Sequence, residues 1–470
     1  MTVSSVAAAP ALPPVVPGSF LMGSAFDLRR DMPAACERAR AEYGDAVRFR
    51  AGPPGLRREL YLFFHPDAAR RVLAVAAENY RKDNVFNTEV RRVFGNGLLT
   101  SQDAEWQRQK RFLQPLFTPR RVAGYADVIG AVVEEHAGQW RPRGGGRVDL
   151  YDAMTRLTLQ IIGRVLFGDD VREALPVVRG AAPLSGAVNR RGTAPLRLPL
   201  AVPTPTNRVV VTAQRALYGV CDTIIDRRRS GPGGQQDLLG LLLDARDDGQ
   251  RLTDAQVRDQ VLVFLLAGHE TTAIALAFAL HLLGSHPEAQ RRVREEVDDV
   301  VGGDLPTAAD AAALTWTTMV LKEAMRLYPS APFLGRSALH ADRIGEHDVP
   351  AGAQVVLSPW ITHRHPRFWD EPERFRPERF APEAERGRHR YAWFPFGGGP
   401  RACIGQTLSL LEGVIALAVL VRDFDFTAPP GRVAYTTEIT LRPAGSLPGL
   451  VTPRPAARHA SGTAAGTNPE

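Results

Sequence analysis

The sequence predicts a mainly α-helical fold, in which a large helical domain surrounds one long central helix and a small β-rich domain lies beside it. Apolar residues recur at a spacing of three to four over most of the chain, which is the period of an amphipathic helix. The motif TDAQ forms a capping box and opens an apolar segment that we predict to be helical from Thr253 to about Gly284. Short runs bounded by Gly or Pro predict strands at Ala46–Arg50, Glu59–Phe64 and Ala353–Pro359.

The long helical segment and a proline-rich segment predict opposite kinds of structure. At about 1.5 Å per residue, the long helix would extend roughly 50 Å, which is enough to cross a whole domain. The segment Pro183–Thr206 contains several prolines and little periodic pattern. We therefore predict a long surface loop there, which could act as a lid.

The chain divides into three parts by composition. Residues 1–22 are rich in Ala and Pro, and we expect them to form an extended arm. We expect residues 23–453 to form a globular domain and residues 454–470 to form a disordered tail. No basic residue precedes Arg29, and four prolines interrupt the amino-terminal stretch. The sequence therefore predicts neither a signal peptide nor a membrane anchor, and the expected compartment is the cytoplasm.

The overall charge does not predict nucleic-acid binding. The net charge is +7 and the pI is near 9.6, which is the range of many nucleic-acid-binding domains. However, only Lys82, Lys110 and Lys322 among the 58 basic residues are lysines, and the arginines are scattered along the chain. This composition favours codon bias in a GC-rich genome over a phosphate-binding face. With 44% hydrophobic and 23% charged residues, the chain is typical of a soluble globular protein.

The three cysteines stand far apart, without the spacing of a disulfide framework or a zinc site. We expect Cys36 and Cys221 to be small buried hydrophobic residues. Cys403 differs, because it lies in FPFGGGPRACIG and directly precedes the helical segment GQTLSLLEGVIALAVLV. A helix N-terminus lowers the pKa of a thiol and favours a thiolate metal ligand. Glycines would let the backbone approach a flat cofactor, and Arg401 could bind a carboxylate on it, which together indicate heme.

This loop resembles the heme-binding loop of the cytochrome P-450 monooxygenases. The fixed positions of that pattern are matched by Phe396, Gly399, Arg401, Cys403 and Gly405. A chance match to five fixed positions is expected about once in several thousand chains of this length. The resemblance extends from the proline-rich start to ITLRPAG, and it implies a mainly α-helical fold with Cys403 as the thiolate ligand of heme iron.

AGHETT places Glu270 and Thr271 within the apolar central helix. A buried acid beside a hydroxyl is costly unless both are hydrogen-bonded or serve the reaction. In a purely structural interpretation, Thr271 bonds back to the preceding turn and Glu270 points into a solvated cleft. The segment is similar to the family's oxygen-activation motif, which implies that the pair relays protons. Ala267 and Gly268 would then face the heme.

The resemblance also implies a structural role for two further motifs. In KEAMRLYP, Glu323 and Arg326 lie one helical turn apart and can pair. FRPERF follows about fifty residues later, and its Arg379 resembles the third member of the family's structural Glu-Arg-Arg network. The sequence PERF also occurs at Pro372–Phe375, which leaves a second possible assignment.

The resemblance also implies partners for the heme propionates. WQRQKR places Trp106 and Lys110 on one face of a helix, and Arg336 follows PSAPFLG. The alternative is a core tryptophan beside a surface lysine. The substrate pocket is expected to be apolar, which suits a lipophilic ligand, with the candidates Phe86, Val90, Leu98, Ala267, Ala331, Phe333, Leu334 and Ile439.

Taken together, these features predict a soluble bacterial-type monooxygenase that uses O2 to hydroxylate a terpenoid, fatty-acyl or polyketide metabolite. We expect no flavin or iron–sulfur domain after this fold, so a ferredoxin or flavodoxin with its reductase would supply electrons to a monomer. An acidic donor would dock on the basic face at Arg108, Lys110 and Arg111. The alternatives are a peroxide-driven peroxygenase or isomerase, or a non-catalytic heme-thiolate sensor or carrier.

Overall fold

The computed structural model describes residues 11–168, 171–194, 197–231, 237–244, 246–247 and 250–454. Helices dominate these residues, as the sequence predicts. The α-helices are α1 (Ala25–Tyr43), α2 (Pro66–Arg70), α3 (Val85–Phe94), α4 (Asp103–Leu113), α5 (Pro119–Ala123), α6 (Ala126–Gly138), α7 (Leu150–Ile162), α8 (Leu175–Gly180), α9 (Pro183–Thr193), α10 (Pro205–Ser230), α11 (Leu238–Asp244), α12 (Asp254–Ser285), α13 (Pro287–Val300), α14 (Ala308–Ala313), α15 (Thr315–Leu327), α16 (Pro359–Thr362), α17 (Pro382–Arg386) and α18 (Gln406–Asp423).

The strands are short and form small sheets beside the helices. They are β1 (Ala46–Ala51), β2 (Arg58–Phe63), β3 (Tyr80–Arg81), β4 (Gly146–Asp149), β5 (Arg246–Asp247), β6 (Gln250–Arg251), β7 (Leu334–Ala338), β8 (Asp342–Ile344), β9 (His347–Val349), β10 (Gln354–Leu357), β11 (Phe424–Thr427), β12 (Tyr435–Thr437), β13 (Leu441–Pro443) and β14 (Pro448–Pro453). The largest sheet has the order β1-β2-β10-β7-β3. It contains all three strands predicted from the sequence, and residues 11–16 run alongside it through a bridge of Val15 to Arg48.

The central helix α12 begins and ends as predicted. Thr253 caps it, because its hydroxyl accepts from the Gln256 N–H at 3.3 Å while its own N–H donates to Gln256 Oε1 at 2.9 Å. The helix is 32 residues long and packs against α7, α15 and α18. It is long and apolar enough to cross a membrane, but 72% of its most apolar window is buried by the surrounding protein. Its apolar character is therefore that of a core helix.

The prediction of a loop over Pro183–Thr206 is wrong for its first half. Pro183 starts α9, where its fixed φ suits the first helical position. Leu184, Ala187 and Val188 are buried on one face at helical spacing, and this burial stabilises the helix despite the weak overall pattern. Pro205 and Thr206 begin α10, so of the described residues only 194 and 197–204 of the predicted loop lie outside a helix. The predicted tail lies outside the described residues from position 455 onward.

Glu412 on α18 is an acid in the helical core. It is 1% exposed, Oε1 has no hydrogen-bond partner among the described residues, and burial raises its pKa well above 4.5. The folded state therefore keeps a proton that the unfolded chain releases above about pH 4.5, so this group lowers stability as the pH rises.

We expect Glu412→Gln to reduce this loss of stability. Between pH 5 and pH 8, the free energy of unfolding of the variant should fall less than that of the wild type. The difference should be about 1.4 kcal/mol for each pH unit by which burial raises the pKa of Glu412. Urea unfolding at the two pH values measures the difference. Glu383→Gln, at a side chain that is 77% exposed, is the control. Equal pH slopes for Glu412→Gln and the wild type would contradict the expectation.

Candidate functional site

Cys403 lies between a 3₁₀ turn, Gly399–Arg401, and the start of α18. Its N–H donates to the Phe396 carbonyl at 2.9 Å, which closes the loop. Cys36 and Cys221 are fully buried, whereas Cys403 is exposed. Burial nevertheless raises the pKa of the Cys403 thiol, and the Gly405 N–H and Lys82 oppose this rise. The sulfur therefore faces an enclosed space within the fold, with groups beside it that stabilise a thiolate.

Two of the four glycines of this loop, Gly398 and Gly399, are required by protein contacts, which corrects the expectation from sequence for these two, whereas a Cβ at Gly397 or Gly405 would approach no protein atom closer than 3.9 Å. At Gly399 (φ +64°), a Cβ would lie 1.7 Å from the Leu73 carbonyl oxygen. At Gly398, a Cβ would lie 2.4 Å from the Tyr391 ring. These two glycines therefore allow the loop to pack closely on the neighbouring chain, rather than to lie against a flat cofactor.

A cluster of cations shares the space in front of Cys403. Burial, followed by the charges of Arg336 and Arg401, lowers the pKa of Lys82 to about 7, while Cys403 acts in the opposite direction. Arg336 is 6% exposed, and within the described part of the chain its guanidinium donates only to the carbonyl of its neighbour Gly335. Arg401 donates to the Ser101 carbonyl at 2.9 Å, but its buried Nη1 has no partner among the described residues. Such orphaned donors fit a cofactor that carries carboxylates.

Trp106 and Lys110 lie on α4 and are in contact with the cysteine loop. Lys110 Nζ donates to the Pro400 carbonyl at 2.9 Å. The Arg401 guanidinium lies 4.0 Å from the Trp106 ring centre, a cation–π contact, and Lys110 Nζ lies 5.0 Å from the same ring. The structure therefore brings the predicted propionate residues of α4 together with Arg401.

The middle of α12 is accessible although most of the helix is buried. Ala267 is exposed and Thr271, one turn later, is half-buried on the same side. The Thr271 hydroxyl donates to the Ala267 carbonyl at 2.9 Å, and Ser330 Oγ donates to the Thr271 carbonyl at 2.8 Å. Gly268 does not share this side, because a Cβ there would lie 2.8 Å from Ile162 on α7. The expectation that Gly268 faces the cofactor is therefore wrong.

Glu270 is held by an ion pair rather than lying in an open cleft. Arg442 Nη2, on β13, lies 2.5 Å from Glu270 Oε1, and the two side chains are 17% and 20% exposed. Arg442 also donates to Ser185 Oγ at 2.9 Å. The Tyr151 hydroxyl lies 3.4 Å from Glu270, and burial followed by the Glu270 charge raises the pKa of this phenol. The carboxylate is thus held by groups from α7 and β13, and Arg442 is held in turn by Ser185 of α9.

The predicted pocket residues lie on elements that meet near α12. Val90 is buried, and most of the others are partly buried. Their positions are Phe86 and Val90 on α3, Leu98 after α3, Ala331 and Phe333 before β7, Leu334 in β7, and Ile439 between β12 and β13. Ser330, which binds Thr271, also accepts from the Leu441 N–H at 3.0 Å. The Leu98 N–H donates to Gln260 of α12 at 3.0 Å. These bonds attach the flanking segments to the central helix.

The Glu-Arg-Arg network is assembled in the core. Glu323 and Arg326 are both 0% exposed and form two hydrogen bonds, of 2.6 and 2.8 Å. Arg379 Nε lies 3.4 Å from Glu323 Oε1. Arg374, of the other PERF repeat, is 65% exposed and pairs with Glu371. The structure therefore places Arg379, and not Arg374, in the network.

His363 connects this network to the cysteine loop. Arg326 Nη1 donates to the His363 carbonyl at 2.9 Å, and His363 Nε2 accepts from the Phe394 N–H at 2.9 Å. Burial, followed by the charges of Arg326 and Arg364, lowers the pKa of His363 well below 6.5. The imidazole is therefore neutral and can accept the bond that fixes the start of the loop.

Lys82, Arg442 and His363 are site residues that the sequence did not predict. Lys82 carried a usable signal, because it is one of three lysines in a chain of 58 basic residues. Arg442 and His363 carried none, since each acts through a contact distant in sequence.

Comparison with known proteins places this geometry in a family. The Cytochrome P450 family model matches residues 13–453. Cyclooctat-9-en-7-ol 5-monooxygenase of Streptomyces melanosporofaciens is 34% identical, over 88% of this chain and 89% of that protein. Pentalenene oxygenase of Streptomyces avermitilis is 32% identical, over 83% and 85%. The crystal structure of the cytochrome P450DA heme domain matches with a TM-score of 0.84 and 30% identity, over 95% of this chain and 98% of that one.

Three features of the structure agree with these matches: the mainly helical fold with small sheets, the exposed cysteine before α18, and the cluster of cations beside that cysteine. The chain therefore belongs to the cytochrome P-450 family and is a heme-dependent monooxygenase whose iron is ligated by a cysteine thiolate.

Proposed function

We propose that this monooxygenase inserts oxygen into a lipophilic terpenoid, with fatty-acyl and polyketide metabolites as the neighbouring substrate classes. The observation that supports this most directly is the similarity to two oxygenases that are named for terpenoids. The apolar pocket candidates around Ala267 and Phe333 are consistent with it, since lipophilic ligands are bound by apolar walls.

Cys403 is the proposed thiolate ligand. When bound, heme supplies the oxidising chemistry, and a thiolate ligand favours cleavage of the O–O bond. The Gly405 N–H and Lys82 favour the ionised sulfur, while the Cys403 N–H is committed to Phe396. The proposed partners of the heme propionates are Arg401, Arg336, Trp106, Lys110 and Lys82.

Thr271 and Glu270 are proposed to deliver protons. Thr271 donates its own hydrogen to Ala267, so its oxygen can accept from a water molecule in the accessible space. A turn of the hydroxyl away from Ala267 then presents the proton on Oγ1 to that space. Glu270 is proposed to replace this proton with one that its carboxylate first takes up from water, while Arg442 and Tyr151 hold the carboxylate on the neighbouring face of the helix.

We expect Thr271→Val to separate binding from catalysis. Valine keeps the shape and removes the hydroxyl, so heme and substrate should bind nearly as in the wild type. Product formation should fall by roughly 10²-fold, with reduced cofactor still consumed and oxygen diverted to hydrogen peroxide. Parallel assays of product, cofactor and peroxide measure the coupling.

Thr272→Val is the matched control. Its hydroxyl lies one residue further along α12 and contacts Ser409 at 3.1 Å, away from Ala267. This variant should keep wild-type coupling. If Thr271→Val kept wild-type coupling as well, Thr271 would be a packing residue.

A separate redox protein is proposed as the electron donor, either a ferredoxin or a flavodoxin with its reductase, acting on a cytoplasmic monomer. An acidic donor suits the basic surface at Arg108, Lys110 and Arg111, next to the loop that carries Cys403. Reconstitution with a ferredoxin, its reductase and a terpene library, followed by mass spectrometry, tests the function. Products formed only with peroxide, or none from any terpenoid, fatty acid or polyketide, would overturn it.

A further inference from the structure

Two neighbouring turns and the start of α1 carry the most exposed large apolar side chains of the described residues. The first turn consists of residues 19–23, and the second, residues 52–57, connects β1 to β2. The four side chains are Phe20 (83% exposed), Leu21 (68%), Leu56 (66%) and Phe26 (63%). The next value in the described part of the chain is only 56%, at Val75.

Hydrogen bonds hold these segments side by side. The Gly52 N–H donates to the Met22 carbonyl at 3.0 Å, and Arg57 Nη2 donates to the Phe20 carbonyl at 2.5 Å. The Ala25 N–H, at the start of α1, donates to the same Met22 carbonyl at 3.2 Å. The backbones of the three segments therefore meet at the first turn, and the four apolar side chains form one exposed patch, the apolar edge.

The fold does not require apolar residues at the tip of the first turn. The ends of the turn close it, because the Ser19 N–H donates to the Gly23 carbonyl at 2.9 Å and the Gly23 N–H donates to the Ser19 carbonyl at 2.8 Å. Ser19 Oγ also accepts from the Met22 N–H at 3.1 Å. Turns are usually built from polar residues, Gly and Pro, and a contiguous exposed apolar patch on a soluble protein marks a binding surface.

The segments that carry the apolar edge are strongly cationic. Residues 19–30 and 50–58 together contain five arginines and a single acid, Asp27. One of the arginines, Arg50, is paired with Glu59 at 2.7 Å. The apolar edge therefore lies in a region with a clear excess of positive charge.

Three of these arginines are exposed and lack an acidic partner. Arg29, Arg30 and Arg57 have no carboxylate within 4.0 Å in the described part of the chain. Arg29 and Arg30 follow Phe26 by three and four residues on α1, so they are its neighbours on the helix surface. Arg57 belongs to the second turn and reaches the first. Unpaired guanidinium groups thus flank the apolar edge on both sides.

This combination fits an anionic lipid surface better than another protein. Protruding apolar side chains can enter the boundary between head groups and acyl chains while guanidinium groups bind the anionic head groups. A second copy of the chain is disfavoured, because a symmetric interface would bring the same cations against each other. The closed turn is also pre-formed, so little conformational freedom is lost on binding.

We propose that the apolar edge, with Arg29, Arg30 and Arg57 beside it, docks the enzyme on the surface of an anionic membrane. The contact is peripheral, and salt weakens it because part of the attraction is electrostatic. This inference goes beyond the proposed function and does not depend on the substrate class. Because lipophilic compounds partition into bilayers, a docked enzyme meets such compounds at a high local concentration.

Co-sedimentation of the holoenzyme with lipid vesicles tests the proposal. One set of vesicles contains phosphatidylcholine alone, and the other contains phosphatidylcholine and phosphatidylglycerol in equal amounts. At low ionic strength, we expect about tenfold tighter binding to the anionic vesicles, and salt should reduce this difference. Absence of binding to the anionic vesicles, or equal affinity for both sets, would overturn the proposal.

Phe20→Ser/Leu21→Ser tests where the vesicles bind. Both side chains are exposed, so the variant should fold and retain heme, whereas its affinity for the anionic vesicles should fall about tenfold. Arg29→Gln/Arg30→Gln should lose most of the preference for anionic over neutral vesicles. Leu450→Ser, at a side chain that is 45% exposed on β14, is the control and should bind as the wild type does. Wild-type affinity of the Phe20→Ser/Leu21→Ser variant would refute the assignment of the surface.

Sedimentation velocity without lipid tests the competing occupant, a second copy of the chain. We expect the wild type to remain a monomer at the concentrations used for vesicle binding. A dimer that dissociates in Phe20→Ser/Leu21→Ser would show that the apolar edge is an interface between copies, and this result would contradict the proposal.

Discussion

Replacing Cys403 with histidine is expected to abolish the thiolate-type absorption band of the reduced carbon monoxide complex. The band depends on a sulfur ligand, and Cys403 is the exposed cysteine that faces the cationic space within the fold. Histidine can still ligate iron, so the variant can retain heme while losing the signature and the monooxygenase activity. A difference spectrum of the reduced protein with carbon monoxide measures this.

Cys36→Ser and Cys221→Ser are the controls for the ligand assignment. Both cysteines are fully buried in the core, where burial raises the pKa of each thiol. The serine variants are expected to lose some stability but to keep the band. Persistence of the band in Cys403→His would contradict the assignment of the ligand.

Removal of Glu323 is expected to have the largest effect on stability. Its carboxylate is fully buried and accepts two bonds from Arg326, so Glu323→Ala leaves an uncompensated guanidinium in the core. Such a loss costs about 3–5 kcal/mol, a large part of the 5–15 kcal/mol that stabilises a typical protein. We expect little folded, heme-loaded protein, as measured by urea unfolding and by heme content.

The two PERF repeats provide an internal comparison for this network. Arg379→Ala should destabilise the protein, because its side chain is 7% exposed beside Glu323. Arg374→Ala should change the free energy of unfolding by less than about 1 kcal/mol, because its pair with Glu371 is exposed. A Glu323→Ala protein with the wild-type urea midpoint would show that the network is dispensable.

The parts of the fold that the sequence predicted are those set by local chemistry. The start of α12 follows from the Thr253 capping box, and its length follows from an uninterrupted apolar run. The cysteine loop was predictable because its fixed positions match the heme-binding pattern of the family that it resembles, although Gly398 and Gly399 are required by contacts with Tyr391 and Leu73. In contrast, α9 was missed because proline was interpreted as a loop residue, although Leu184, Ala187 and Val188 have helical spacing.

The rest of the site depends on contacts between distant segments. Nothing near Arg442 in the sequence indicates that it pairs with Glu270, since hairpin packing alone determines that contact. The role of Gly399 was similarly hidden, because the obstacle to a side chain there is the Leu73 carbonyl. Local patterns specify which chemistry is present, whereas tertiary packing decides which groups orient it.

The contacts between α4 and the cysteine loop have a consequence for cofactor binding. Lys110 binds the Pro400 carbonyl and Trp106 packs on Arg401, so α4 holds the two residues that lie shortly before Cys403. These contacts let α4 support the loop from the side opposite its own helix α18. We therefore expect binding of the cofactor and docking of α4 on the loop to be coupled, so that each stabilises the other.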